Sequence, residues 1–201
     1  MSRPLGDFRT FLPIFLGENA LVQALKNPLK VLYCEKEVFM LLFHGTNIKF
    51  NEIKIIKPNR TLDFGMGFYT TSNKEQAKDW AKIVVKRSNS GKPILNIYEF
   101  DEKSANELSI KRFEIPTKEW LDFICEHRLE KYNGNNFDLI IGPVANDNTM
   151  PVLQAYMNAK NKDLYAQVAL SEIQADKLTD QYVFKNELAL KFIKLKEMIE
   201  L

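Results

Sequence analysis

The sequence predicts an α+β fold, and three observations predict it. Short apolar or alternating runs with strand character, such as MLLFHGT, ILNIYEFD and FDLIIGPV, are interspersed with stretches of helical periodicity. The two kinds do not alternate strictly, as they would in a βαβ array. Hydrophobic residues make up 45% and charged residues 27% of 201 residues, which suits a globular chain with a buried core.

Residues 1–39 read as an N-terminal appendage that differs from the rest of the chain. They hold a short amphipathic helix at 18–26, ended by Asn27-Pro28. Met40 could itself open the protein, and the domain proper is expected over 40–201. Residues 40–44 form an apolar strand that runs into His44-Gly45. The segment 47–64 is polar and irregular, with Pro58. Gly65 and Gly67 then lead into a short strand at 67–71.

Asn73 opens a helix as N-cap, with Gln76 three positions on in a capping-box arrangement. Ala77, Trp80, Ala81 and Val84 share one face of it. Strands are expected at 94–100 and 108–115. Thr117 caps a second amphipathic helix, with Trp120, Phe123, Ile124 and His127 on one face. The apolar run 137–144 reads as a central strand. TMPVLQAYMNAK and DLYAQVALSEI read as two short helices, 180–186 as a strand, and ELALKFIKLKEMI as a closing amphipathic helix.

Composition narrows the function. A formal net charge of +2 neither demands nor excludes a nucleic-acid partner. Cys34 and Cys125 lie far apart, so neither a disulfide framework nor a zinc site is expected, and no metal. There is no apolar run of spanning length, and Pro13 interrupts the apolar patch at 11–16, so neither a membrane span nor a signal peptide is read. The expected compartment is the cytoplasm.

Familiar catalytic patterns are absent. Asp63-Phe64-Gly65 matches a kinase tripeptide, but no Gly-rich phosphate loop or H-R-D loop accompanies it. Gly65-Met66-Gly67 lacks the third glycine of a dinucleotide fingerprint and is followed by a strand, not a helix. Two histidines cannot make an H-E-x-x-H site, and no G-x-S-x-G elbow exists. His127 reads as a core or interface histidine. His44 stands at the end of a strand before a glycine, where backbone can approach a ligand closely.

Three pieces taken in order are more specific: FHGT at 43–46, GFYTTS at 67–72 with the helix NKEQAKDW after it, and DQYVF at 180–184. Their order resembles the His-Tyr-Glu branch of the ADP-ribosyltransferase superfamily. More narrowly, residues 40–195 resemble the bacterial DUF3990 family, itself placed among ADP-ribosyltransferase-like domains. The resemblance implies two small mixed β-sheets flanked by helices, and NAD+ as substrate. It implies that His44 bonds a ribose hydroxyl and that Gly45 offers its backbone to the nicotinamide carboxamide. Thr46 belongs to the same strand-end motif. Tyr69 would stack on the nicotinamide ring, with Trp80 closing the sandwich. Gly67 would let the loop wrap the cofactor, Thr71 would make a polar contact, and Arg60 would reach the pyrophosphate.

One position departs from the family pattern. Gln181 stands where the catalytic Glu is usual, so the hydrogen bond can be kept but not the charge that favours a sugar cation. Asp147 and Glu187 are the nearby carboxylates that could compensate, although they also suit helix starts. Transfer of a single ADP-ribose to a macromolecule, protein or nucleic acid, is then the expected activity. Toxin or effector status, with an antitoxin partner, goes with the resemblance. Two other readings stand beside it. One is a weakly catalytic NAD or ADP-ribose binding module. The other is an interaction protein that uses the apolar N-terminal segment or the basic final helix with Lys185, Lys191, Lys194 and Lys196.

Overall fold

The computed structural model describes residues 39–56, 60–145, 149–173 and 178–201. The expected helix at 18–26, Cys34 and Asp147 lie outside them. Among the described residues are seven strands and five α-helices, so the α+β expectation holds.

The strands form two sheets. In the first, β1 (Met40–Thr46), β3 (Ile94–Phe100) and β7 (Ile193–Glu200) pair antiparallel in the order β1-β3-β7. In the second, β2 (Phe68–Thr70), β6 (Asp180–Phe184), β5 (Leu139–Pro143) and β4 (Ile110–Arg112) lie in the order β2-β6-β5-β4. Only the β4–β5 pair is parallel. The second sheet is thus mixed and the first is not, which corrects the expectation of two mixed sheets. One bridge, Phe43 to Thr71, joins β1 to the end of β2 through hydrogen bonds of 2.8 and 3.0 Å.

Alternation of side chains across the strands sets the layers. Phe43, Leu95 and Ile97 face helix α1 (Lys74–Ser88) and pack on Ala77. Leu42, Tyr98 and Phe100 face the other way and meet Phe68, Tyr182 and Phe184 of the second sheet. The far side of the second sheet, with Ile140 and Val183, packs on α2 (Lys118–Arg128), α3 (Met150–Asn158) and α4 (Lys162–Glu172). The order is helix, sheet, sheet, helices.

Both N-caps read from the sequence form. Asn73 accepts from the Gln76 N–H at 3.1 Å and Thr117 from the Trp120 N–H at 3.2 Å. The capping box does not close, because the Asn73 N–H goes to the Thr71 hydroxyl instead. Along α1, Ala77 and Ala81 are buried but Trp80 is 37% exposed, so it stands outside the stripe assigned to it. The strand expected at 108–115 shrinks to the edge strand β4, preceded by a 3-10 turn at Ser104–Glu107.

The closing helix is the main correction. Only Glu187–Leu190 is helical (α5), and Ile193–Glu200 is strand. The cause is a bulge: Tyr98 pairs with Leu195 but Ile97 pairs with Glu197, leaving Lys196 extra. The bulge switches parity, so Leu195 faces the core between the sheets while Ile199 faces α1. Leu188, Phe192, Leu195 and Ile199 therefore fall at helical spacing in a segment that is mostly strand. The proposed basic helix face goes with it. Lys196 pairs with Glu99, and Lys185 is half-buried and bonds the Phe64 carbonyl.

Candidate functional site

The β1–β2 bridge and the β2–β6 pairing bring the three motifs together. Phe43 lies opposite Thr71, and Thr70 lies opposite Tyr182. His44, Tyr69 and Gln181, far apart in sequence, thereby sit on three consecutive strands.

His44 is half-buried, with its Nδ1 2.7 Å from the main-chain oxygen of Tyr69. Its ring packs on Phe68 at 4.6 Å and on Phe50 at 5.9 Å. Burial lowers its pKa below the usual histidine value, against an opposing contribution from the Tyr69 bond. The ring is therefore neutral at pH 7. Asn96, directly across from His44 in β3, is fully buried, and its Oδ1 has no hydrogen-bond partner.

Tyr69 leaves β2 on the face opposite Phe68, so the His44 and Tyr69 rings lie on different sides of that strand. The Tyr69 hydroxyl donates to the Gly65 carbonyl at 2.7 Å and accepts from the Phe64 N–H at 3.1 Å. Burial, followed by the nearby Asp63 charge, pushes its pKa up. Tyr69 thus anchors the glycine loop, a role the sequence did not suggest.

The glycines answer to internal packing. A Cβ on Gly45 would stand 2.0 Å from the Ala77 carbonyl oxygen, so this glycine seats α1 on β1. Gly65 has φ +70°, and a Cβ there would meet His127 at 2.7 Å. At Gly67 a Cβ would meet Val183 at 2.6 Å. Thr46 is buried, and its hydroxyl accepts from the Ile48 N–H at 3.4 Å.

Thr71 belongs to a polar cluster with Asp180, Ser72 and Gln76. Its hydroxyl lies 2.9 Å from Asp180 Oδ1 and 2.7 Å from Gln76 Oε1. One proton cannot serve both, and only Asp180 is restricted to accepting, so the Gln76 amide turns its NH2 toward Thr71. Asp180 also accepts from the Ser72 N–H at 2.8 Å.

Gln181 is buried, and its amide nitrogen donates to Asp63 Oδ2 at 3.4 Å and to the Pro143 carbonyl at 3.3 Å. Asp63 is the centre of this cluster. Its Oδ1 accepts from Arg128 Nε at 2.8 Å and from Arg128 Nη2, and its Oδ2 accepts from the Ala145 N–H at 3.1 Å. Glu187, weighed as a compensating carboxylate, is instead the exposed first residue of α5; Asp63 is the carboxylate beside Gln181.

Trp80 and Arg60 meet each other. The guanidinium carbons of Arg60 and Arg87 each lie 5.3 Å from the Trp80 ring centroid. Beside the glycine loop, Lys185 bonds the Phe64 carbonyl, and burial lowers its pKa to about 8. His127 is half-buried there, stacked on Tyr132 at 4.1 Å, and burial lowers its pKa too. Cys125 is a buried free thiol, pushed up to about 11 by burial.

The family model described as "Protein of unknown function (DUF3990)" matches residues 40–195. The chain belongs to the DUF3990 family. The match takes in every residue of the site, from His44 to Lys185. No curated protein and no solved structure matches the chain. No helix among the described residues is long and apolar enough to cross a membrane, and no group of metal-ligating side chains occurs among them.

In this DUF3990 member, sequence reasoning missed Asp63, Arg128, Asp180 and Asn96. Asp180 could have been found, because extending the β2–β6 register two residues past Thr70 and Tyr182 sets Ser72 opposite Asp180. Asp63 carried no such signal; its tripeptide pointed to kinases, and its partners lie 65 and 118 residues away.

Proposed function

We propose that this protein binds NAD+ and transfers one ADP-ribose to a macromolecular acceptor. The observation that supports the reading is that the bridge and the pairing set His44, Tyr69 and Gln181 on the neighbouring strands β1, β2 and β6, with the His44 ring on the Phe68 face and Tyr69 and Gln181 on the other. In the reaction, the bond from ribose C1′ to the nicotinamide nitrogen breaks and nicotinamide leaves with the electron pair. The acceptor's nucleophile bonds C1′ and releases its proton. Positive charge develops on the sugar between these events, as in glycoside cleavage.

His44 suits a ribose hydroxyl. Its Nδ1 must carry a proton to bond the Tyr69 carbonyl, so neutral His44 presents Nε2 as an acceptor. Gln181 offers a hydrogen bond without charge, which favours single transfer at a modest rate. That same neutrality favours a second reading, an NAD-binding module with little turnover.

Nicotinamide release and NAD+-dependent thermal shift, measured together, decide between them. The wild type is expected to show both. His44→Ala and Tyr69→Ala, checked for folding by circular dichroism, should lose release. Tyr69→Phe keeps the ring and should retain it. A shift without release supports the binding module, and neither shift nor release removes both readings.

A further inference from the structure

We propose that Asp63 is a positioning residue that turns the Gln181 amide so that its carbonyl oxygen becomes a fixed acceptor for a sugar hydroxyl; the identity of that ligand rests on the NAD reading above. The orientation of the amide follows from chemistry. Both groups facing the Gln181 nitrogen, the Asp63 carboxylate and the Pro143 carbonyl, can only accept, so the NH2 must point at them. Oε1 then points away. Among the described residues it has no hydrogen-bond partner. Gln181 as a whole is 4% exposed, so an acceptor held there is shielded from bulk water.

Asp63 is itself fixed. Arg128 holds one oxygen and the Ala145 N–H holds the other, so the carboxylate cannot turn to release Gln181. Gln181 and Val183 share one face of β6, and Val183 pairs with Tyr69, so the Gln181 side chain lies on the Tyr69 side of the sheet. The arrangement also accounts for glutamine at this position. A glutamate would place a second carboxylate against Asp63, and two such groups in contact cannot both ionise cheaply. The negative charge that the family pattern carries at 181 sits here at 63, one hydrogen bond back.

The test is a double-mutant cycle with two readouts. The first is hydrogen exchange of the Gln181 side-chain amide, followed by NMR in the full chain without ligand. Slow exchange in the wild type, and exchange at least about tenfold faster in Asp63→Asn, is expected for a lost charge-assisted bond. The second is NAD+ affinity. Gln181→Glu alone should bind NAD+ at least about tenfold more weakly than the wild type, and Asp63→Asn/Gln181→Glu should regain most of that loss, because an amide again faces a carboxylate. A merely structural Asp63 gives additive losses with no rescue, and that result overturns the proposal. So does an unchanged Gln181 exchange rate in Asp63→Asn. If the wild type binds no NAD+, the functional reading fails, and the exchange measurement still decides the role of Asp63. Melting curves accompany every variant; a Gln181→Glu chain that folds only when Asp63 is also Asn supports the proposal.

Discussion

His44 Nδ1 lies 2.7 Å from the main-chain oxygen of Tyr69, so the histidine of one sheet is tied to the backbone of the other. A carbonyl can only accept, which fixes the tautomer and leaves Nε2 without a proton. The bond spans the junction where the Phe43–Thr71 bridge joins the sheets, and it restricts how far β1 and β2 can part there.

This tie predicts acid sensitivity of defined sign. Burial lowers the folded-state pKa of His44 below its ordinary 6.5, so between those two values the unfolded chain binds more protons. Stability is then full above 6.5 and is lost as pH falls toward the folded value. His127, also lowered by burial, adds to the same slope. Urea melts between pH 7.5 and about 5.5, above the ordinary carboxylate range, should show falling stability. The slope should be shallower in His44→Gln. An unchanged slope would show that His44 is not buried as described.

The sequence made parts of this fold legible and hid others for physical reasons. Long apolar runs gave β1, β3 and β5, and the caps Asn73 and Thr117 gave their helices, because such signals are local. The bulge at Lys196 hid β7, since a parity switch inside a strand imitates helical spacing. Trp80 falls three residues after Ala77, at the edge of the buried stripe, and periodicity alone cannot say on which side of that edge it settles. Of the site, His44, Tyr69 and Gln181 were legible as motif positions. Asp63 was not, because its meaning comes from partners that only the tertiary fold supplies.

Gly45→Ala should be among the most damaging single-methyl changes in the chain. The added carbon would stand 2.0 Å from the Ala77 carbonyl and 2.8 Å from the Ala81 nitrogen. Both are helix backbone and cannot turn aside like a side chain. Either α1 lifts from the first sheet or β1 twists, at about 3 kcal/mol or more. Guanidinium denaturation reads the loss. A cost below about 1 kcal/mol would mean that the helix is seated less closely than described.

Arg128→Ala should cost about 3 kcal/mol, at the low end for breaking a buried ion pair, since the Ala145 N–H and Gln181 still bond Asp63. The Asp63 side chain is 7% exposed and the Arg128 side chain 21%, so the carboxylate is left with its charge and little water. Arg128→Ala/Asp63→Ala should lose less than the sum of the two single changes, because the stranded charge is gone. Strict additivity in urea melts would argue that the pair is not coupled.

Trp80→Ala should cost little stability and weaken NAD+ binding less than Tyr69→Ala does. The ring is 37% exposed, and each guanidinium beside it contributes about 0.5–1 kcal/mol at such a site. Arg60 and Arg87 also repel each other, which offsets part of that gain. A nicotinamide that stacked on a ring face held by one of these guanidinium groups would have to displace it. Fluorescence gives a second reading, because the other tryptophan, Trp120, is fully buried with its Nε1–H on the Pro143 carbonyl. If NAD+ quenches the wild type strongly and Trp80→Ala abolishes binding, then Trp80 belongs to the binding site after all.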